Sequence, residues 1–203
     1  YLLDETGLSV VSDIDDTVKL SNVLDKKTLI RNTFLKEFES VPGMADVYRR
    51  WADERGAKFH FVSSSPWQLF EDLGSFLSNA GFPPAAFHLK SVRLKDRTVL
   101  NLLKDPQENK VQVIESILTS YPRRTFVLVG DTGERDPEVY GEVARRHPDR
   151  ILRMFLRNVT GEVKGSARFS KAFAGVSSSK WYLFGDPQSE LHLPPPDTCA
   201  PGI

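Results

Sequence analysis

The stretch Thr125-Phe126-Val127-Leu128-Val129 sets four large apolar side chains in direct succession. Side chains of a strand point alternately to its two faces, so a strand with this sequence must be covered on both. Helices wrapped around a parallel sheet provide that cover, and Gly130-Asp131 marks where the strand stops. The flanking chain fits the same scheme. Gly43 to Arg55 carries Met44, Val47 and Trp51 at helical spacing before Gly56. Ala57-Lys58-Phe59-His60-Phe61-Val62 reads as a strand, followed by a helix capped by Ser65 with Pro66 at its first position. That helix places Trp67, Phe70, Leu73, Phe76, Leu77 and Ala80 on one apolar face, and Gly81 closes it. A short strand is expected near Ala86 to Ser91, a helix from Asn109 with Val111, Ile114, Ile117, Leu118 and Tyr121 inward, a helix from Pro137 to Arg146, and a last strand at Ile151 to Leu156.

Alternating strands and helices predict an α/β fold, a doubly wound and mainly parallel sheet with right-handed crossovers. Residues 18–42 and 93–108 announce no definite element. Past Gly161, Phe169 and Phe173 form an amphipathic stretch, and Trp181-Tyr182-Leu183-Phe184 is expected to pack back on the sheet layer. The expected organisation is one domain over residues 1–185 and a Pro-rich tail over residues 186–203. At 203 residues, with 27 basic and 27 acidic side chains, the chain has no charge excess to make nucleic acid its main partner. The lone Cys199 has no internal disulfide partner. No apolar run reaches the roughly 20 residues of a membrane span, and no basic-then-apolar leader is present. Tyr1 leaves trimming of a leader open, so the compartment is undetermined between cytoplasmic and membrane-peripheral. Asn158-Val159-Thr160 matches a glycosylation sequon at a strand end and is set aside.

Chemistry concentrates in Asp13-Ile14-Asp15-Asp16-Thr17, directly after the apolar run Leu8-Ser9-Val10-Val11. Strand alternation would point Asp13 and Asp15 the same way, and a divalent cation or a shared proton would relieve their repulsion. In open parallel sheets, ligands bind outside the carboxyl ends of the strands. Asp13 and Asp15 fall there after one strand, Ser63 after the next, Asp131 and Asp136 after the buried strand, and Lys110 opens a helix leading into it. Taken singly, Ser63 is a helix-opening hydroxyl, Lys110 a solvated first-turn lysine and Asp131 a turn residue. Their convergence on one rim is what argues for a site. Asp16 reads as a turn or capping residue, Arg135 as a partner of Glu134 or Asp136, and His60, His88, His147 and His192 as structural.

The motifs Asp13-Ile14-Asp15-Asp16-Thr17, Ser63, Lys110 and Gly130-Asp131-Thr132-Gly133-Glu134-Arg135-Asp136 resemble, in order and kind, the four motifs of the haloacid dehalogenase superfamily. Val62-Ser63-Ser64-Ser65-Pro66-Trp67 and Gly130 to Glu138 are similar to the Mg²⁺-dependent phosphatidate phosphatase catalytic domain of the yeast actin-patch-protein type. The resemblance implies a haloacid dehalogenase-like Rossmannoid sheet with a small cap or none. It implies Asp13 as nucleophile forming an aspartyl-phosphate, and Asp15 as acid and then base. It also implies Mg²⁺ held by Asp13, Asp131, Asp136 and the backbone carbonyl of Asp15, with Ser63 and Lys110 on the phosphoryl oxygens. Ser64 and Ser65 compete with Ser63 for that role. The implied reaction hydrolyses a phosphate monoester, phosphatidate to diacylglycerol. A phosphatase of soluble phosphomonoesters and a non-catalytic lipid-binding domain are the alternatives, the second opposed by the presence of Asp13 and Asp15. A phosphorylated lipid substrate further implies peripheral membrane contact, for which Lys90, Arg93, Lys95, Arg97 and Lys104 around Val99 to Leu103 have the composition.

Overall fold

In this computed structural model, residues 3–20, 38–90 and 106–195 are described. Six parallel strands form the main sheet: β1 (Thr6–Ser12), β4 (Lys58–Pro66), β5 (Ala85–Lys90), β6 (Arg123–Asp131), β7 (Ile151–Arg157) and β8 (Trp181–Phe184), in the order β5-β4-β1-β6-β7-β8. β2 (Lys19–Leu20) and β3 (Glu39–Ser40) make a separate antiparallel ribbon. From the central β1 the chain winds outward through β4 and β5, then returns past β1 to β6, β7 and β8. The two windings part between β1 and β6. Ser12 lies opposite Val129 across that pair, so Asp13 and the end of β6 share one crevice at the switch point.

The apolar run behaves as its sequence requires. Val127 and Val129 face one core with Val10, Phe59 and Phe61, while Phe126 and Leu128 face the other with Val11 and Val62. The first core is covered by α1 (Met44–Arg55) through Met44, Val47, Tyr48 and Trp51, and by α2 (Phe70–Asn79) through Leu73 and Leu77. The second is covered by α3 (Pro106–Ser120), α4 (Asp136–Arg146) and α5 (Ala167–Ala172). Gly141 permits the α4–α5 contact, because a Cβ there would stand 2.0 Å from the Ala172 carbonyl oxygen.

Four expectations are revised. β4 runs through the serines to Pro66, a 3₁₀ turn spans Trp67–Leu69, and α2 begins only at Phe70. Ser65 therefore caps no helix: its hydroxyl donates to Asp15 instead. Trp67 and Phe70, placed inward by helical spacing, are exposed, and Leu69 is buried in their stead. Trp181–Phe184 does not lie over the sheet but extends it as β8, pairing with Met154 to Arg157. Packing also continues beyond residue 185. After α6 (Pro187–Glu190), Leu191 is fully buried, and Arg50 and Arg55 of α1 donate to the carbonyls of Leu191 and Pro194 at 3.0 and 2.6 Å. Residues 21–37 and 91–105, which hold most of the two segments without a definite expected element and most of the basic loop, lie outside the described residues, as do residues 196–203. Among the described residues no helix is long and apolar enough to cross a membrane.

His60 and His88 form a pair on adjacent strands β4 and β5. His60, 1% exposed on β4, sits with Nδ1 3.3 Å from Nε2 of His88, and its ring lies against Tyr121. Burial, then the neighbouring His88 and Arg124, depresses its pKa from 6.5 to about 4. The unfolded chain then binds more protons between those values, so stability is whole above pH 6.5 and falls as the pH drops toward 4. The loss reaches about 3 kcal/mol. Urea unfolding of wild type and His60→Phe across this window should show the wild-type midpoint falling more steeply with acid than that of the variant.

Candidate active site at the carboxyl edge of the sheet

Each acidic side chain is delivered by the end of a strand. After β1, the Asp13 amide donates to Val129 O at 2.8 Å, and the chain then folds into a tight turn. The Ile14 carbonyl accepts from the amides of Val18 and Lys19 at 3.0 Å each, while Ile14 and Val18 are fully buried and pin the turn. Asp16 takes a positive φ of 52° there, confirming its turn role; Asp tolerates that region better than most residues. The regular strand ends at Ser12, so a turn rather than strand alternation sets Asp15. The two carboxylates consequently differ: Asp13 is 2% exposed, whereas the Asp15 side chain is 21% exposed and pairs with Lys19 at 2.7 Å.

β6 delivers Asp131. Its Oδ1 accepts from the amides of Gly133 at 2.5 Å and Glu134 at 3.0 Å, and its own amide donates to Asp136 Oδ2 at 3.2 Å. Gly130 is obligatory here, since a Cβ would stand 2.1 Å from Asp136 Oδ2 and 2.7 Å from the Tyr140 hydroxyl. Lys110 of α3 reaches in from the other side, its Nζ donating to Asp13 Oδ1 at 2.7 Å and to Asp136 Oδ1. Asp13, Asp131 and Asp136 thereby offer oxygens all within 4.8 Å of one another, every one of them buried. Asp131 Oδ2 is buried without a hydrogen-bond partner among the described residues.

The electrostatics of this group are unfavourable without a further cation. Burial, assisted by Asp136, lifts Asp131 to about 7 against the pull of its backbone donors and Lys110. Burial likewise raises Asp13 well above the carboxylate range, although Lys110 opposes it. Burial works against the Lys110 charge too, but Asp13 and Asp136 outweigh it and hold the ammonium protonated. Three carboxylates against one ammonium leave two negative charges when all are ionised, which a divalent ion with hard-oxygen preference would balance. The orphaned Asp131 Oδ2, the preset Oδ1 and the all-oxygen donor set fit such an ion.

Serines complete the rim. Ser63 and Ser65 both place Oγ 3.3 Å from Asp15 Oδ2, and the Ser65 amide donates to Ser63 Oγ at 3.0 Å. Ser63 is buried, whereas Ser64 is exposed and lines the open groove beside Lys110 and Asp131. The Asp15 carboxylate faces Lys19 and these serines and stands outside the Asp13–Asp131–Asp136 group. Every site residue expected from the sequence is thus at one edge. Arg168 was not expected. Its guanidinium donates to Thr132 O at 2.6 Å, to the Glu134 carbonyl, and to Glu138 and Glu162 at 2.8 and 3.1 Å, clamping the loop after β6 to α5. Thr132 Oγ1 accepts from the amides of Val159 and Thr160 at 3.0 and 3.1 Å and fixes the loop's other side. Arg135 donates to Gln107 at 2.9 Å, tying the loop after β6 to the start of α3.

The family described as phosphatidate phosphatase APP1, catalytic domain, matches residues 8–158, which contain all six side chains expected at the site. The chain belongs to this family. It is 34% identical over 154 residues to phosphatidate phosphatase APP1 of Saccharomyces cerevisiae, covering 74% of this chain and 26% of that protein. To the uncharacterized protein C29B5.04c of Schizosaccharomyces pombe it is 31% identical over 199 residues, 94% of this chain and 32% of that protein. The chain therefore spans a third or less of either relative's length. Among solved structures, a Thermotoga maritima protein assigned as a beta-phosphoglucomutase superposes at a TM-score of 0.46 and 11% identity over 89% of this chain and 94% of its own. A likeness at that score carries no argument about the site.

The buried charges of this APP1-family site make stability a direct readout of metal. At pH 8 without divalent cations, Asp131→Asn should raise stability by about 2–4 kcal/mol, because a carboxylate held near 7 opposes folding once ionised. Its Oδ1 keeps the two backbone donors. Added Mg²⁺ should raise the melting temperature of wild type and leave the variant unmoved, as checked by scanning calorimetry with chelator and with metal.

Proposed function

We propose that this chain is a Mg²⁺-dependent phosphatase acting on a phosphate monoester, with phosphatidate as substrate and diacylglycerol and phosphate as products. The observation that carries the reading is the pairing of a buried carboxylate, Asp13, with a cation-competent acidic pair and a fixed lysine, while a second carboxylate two residues on stands in a different environment. Family membership and the name of the yeast relative, a phosphatidate phosphatase, supply the substrate.

In this mechanism the Asp13 carboxylate attacks phosphorus, and the bond from phosphorus to the alcohol oxygen breaks. Asp15, protonated at that moment, gives its proton to the leaving oxygen. Its position among Ser63, Ser65 and Lys19, with the side chain 21% exposed, suits contact with substrate and water. Asp15 then takes a proton from the water that attacks the aspartyl-phosphate, releasing phosphate and restoring Asp13. Lys110 bonds both Asp13 and Asp136, so its charge favours the ionised nucleophile and lies beside the phosphoryl oxygens. Ser63, whose hydroxyl reaches Asp15 at 3.3 Å, turns its proton to those oxygens when substrate is bound. Asp13, Asp131 and Asp136 would hold Mg²⁺, which when bound would supply positive charge against the phosphoryl oxygens.

Phosphate release from phosphatidate in mixed micelles, measured beside soluble phosphomonoesters, tests the reading. Preferential, Mg²⁺-dependent release from phosphatidate supports it. Equal or better turnover of soluble esters would move the function to that class, and lipid binding without release of phosphate would make the domain a lipid-binding module. Asp13→Asn should abolish turnover with the fold intact. Asp15→Asn should lose steady-state turnover yet accumulate phosphoenzyme from a substrate with an activated leaving group, detected by acid-quench labelling.

A further inference from the structure

Four large apolar side chains are exposed among the described residues: Trp67 (53%), Phe70 (38%), Val159 (40%) and Val163 (72%). All four stand on the edge of the sheet that carries the site. Trp67 follows the end of β4 at Pro66, and Phe70 is the first residue of α2. Val159 lies two residues past the end of β7, with Val163 in the same loop before α5. Scattered exposure of single apolar residues is ordinary, but its confinement to one edge is not.

The two pairs stand on opposite sides of the β1–β6 crevice, since β4 and β7 lie on either side of β1 and β6. The aromatic pair is also propped in place. Trp67 and Phe70 stack at 4.8 Å and 12° between ring planes, and Phe70 meets Phe87 of β5 edge-on at 5.3 Å. Between the apolar flanks the groove presents Ser64, Lys90, Lys110 and Asp131. A soluble ester would gain nothing from such flanks. A protein seated across both would close the groove over the reactive carboxylates, whereas a bilayer brings the substrate to them. Tryptophan with neighbouring apolar groups is suited to the headgroup layer, where its ring is half in hydrocarbon and half wet.

Resting on the phosphatidate reading above, we propose that this edge is a lipid-docking face. Trp67 and Phe70 on one side of the groove, and Val159 and Val163 on the other, enter the interfacial layer of a bilayer and set Asp13 over the headgroups. Because the contacts are apolar, docking persists at high salt, unlike attachment by surface lysines.

Tryptophan fluorescence provides a readout independent of activity, since Trp51 and Trp181 are buried at 2% and 6% exposure and Trp67 alone of the three is open. On phosphatidylcholine vesicles containing phosphatidate, emission should shift to the blue, resist acrylamide and be quenched by brominated acyl chains, at low and high salt alike. The double substitution Trp67→Ala with Phe70→Ala should weaken vesicle partition and raise KM for vesicle phosphatidate about tenfold or more. Val163→Asp, at the other flank, should do the same. Turnover of para-nitrophenyl phosphate should stay at the wild-type value in both, and both should remain folded by circular dichroism. Unchanged partition and KM in both variants would overturn the proposal, as would a parallel loss on vesicles and on the soluble ester. A self-association removed by the double substitution, with emission indifferent to vesicles, would overturn it in favour of a second copy of this chain. Failure of the substrate reading has another signature: Trp67 shielded by vesicles in which phosphatidate stays intact, an outcome that supports docking.

Discussion

The structure turns on the buried contact of Lys110 with Asp13 and Asp136. It joins the end of β1, the amino end of α3 and the amino end of α4, three elements that the sequence separates widely. Removing Lys110 would leave the buried carboxylates of Asp13 and Asp136 uncompensated, which is far more harmful than losing an exposed pair. Such a contact survives only if the backbone holds all three carriers rigidly. The parallel sheet supplies that rigidity: register between β1 and β6 is continuous from Thr6 to Ser12, and Asp13 is tied to Val129 immediately beyond it.

Much of this was readable in order along the chain. Apolar runs followed at once by carboxylates, as at Val129-Gly130-Asp131, mark both a buried strand and the edge at which it ends, so strand positions and site positions are read from the same residues. What the sequence hid is non-local. Ser65 and Pro66 have the local chemistry of a helix start, yet the bond from Ser65 to Asp15, fifty residues away in sequence, keeps the strand extended. Trp67 and Phe70 have helical spacing, but the 3₁₀ turn shifts the phase by which later residues meet the core. Arg168 carries no local signal at all, because its partners Thr132, Glu134 and Glu138 are fixed only once α5 packs on α4.

Asp13 and Asp15 illustrate how a fold separates the behaviour of near neighbours. Two residues apart, one is surrounded by Lys110, Asp131 and Asp136 in the interior, and the other by Lys19, Ser63 and Ser65 at the rim. The tight turn after Ser12 achieves this by ending the strand early. Continued alternation would have put both carboxylates in one environment.

Arg168, β8 and α6 all lie beyond residue 158, where the match to the family ends, yet each is bonded into what precedes it. A fragment cut at that boundary would keep every side chain of the candidate site and lose the guanidinium that braces the loop bearing Asp131 and Asp136. It would also bare the outer edge of β7 as an unpaired, sticky strand. The stretch matched by the family is thus shorter than the stretch that has to fold together.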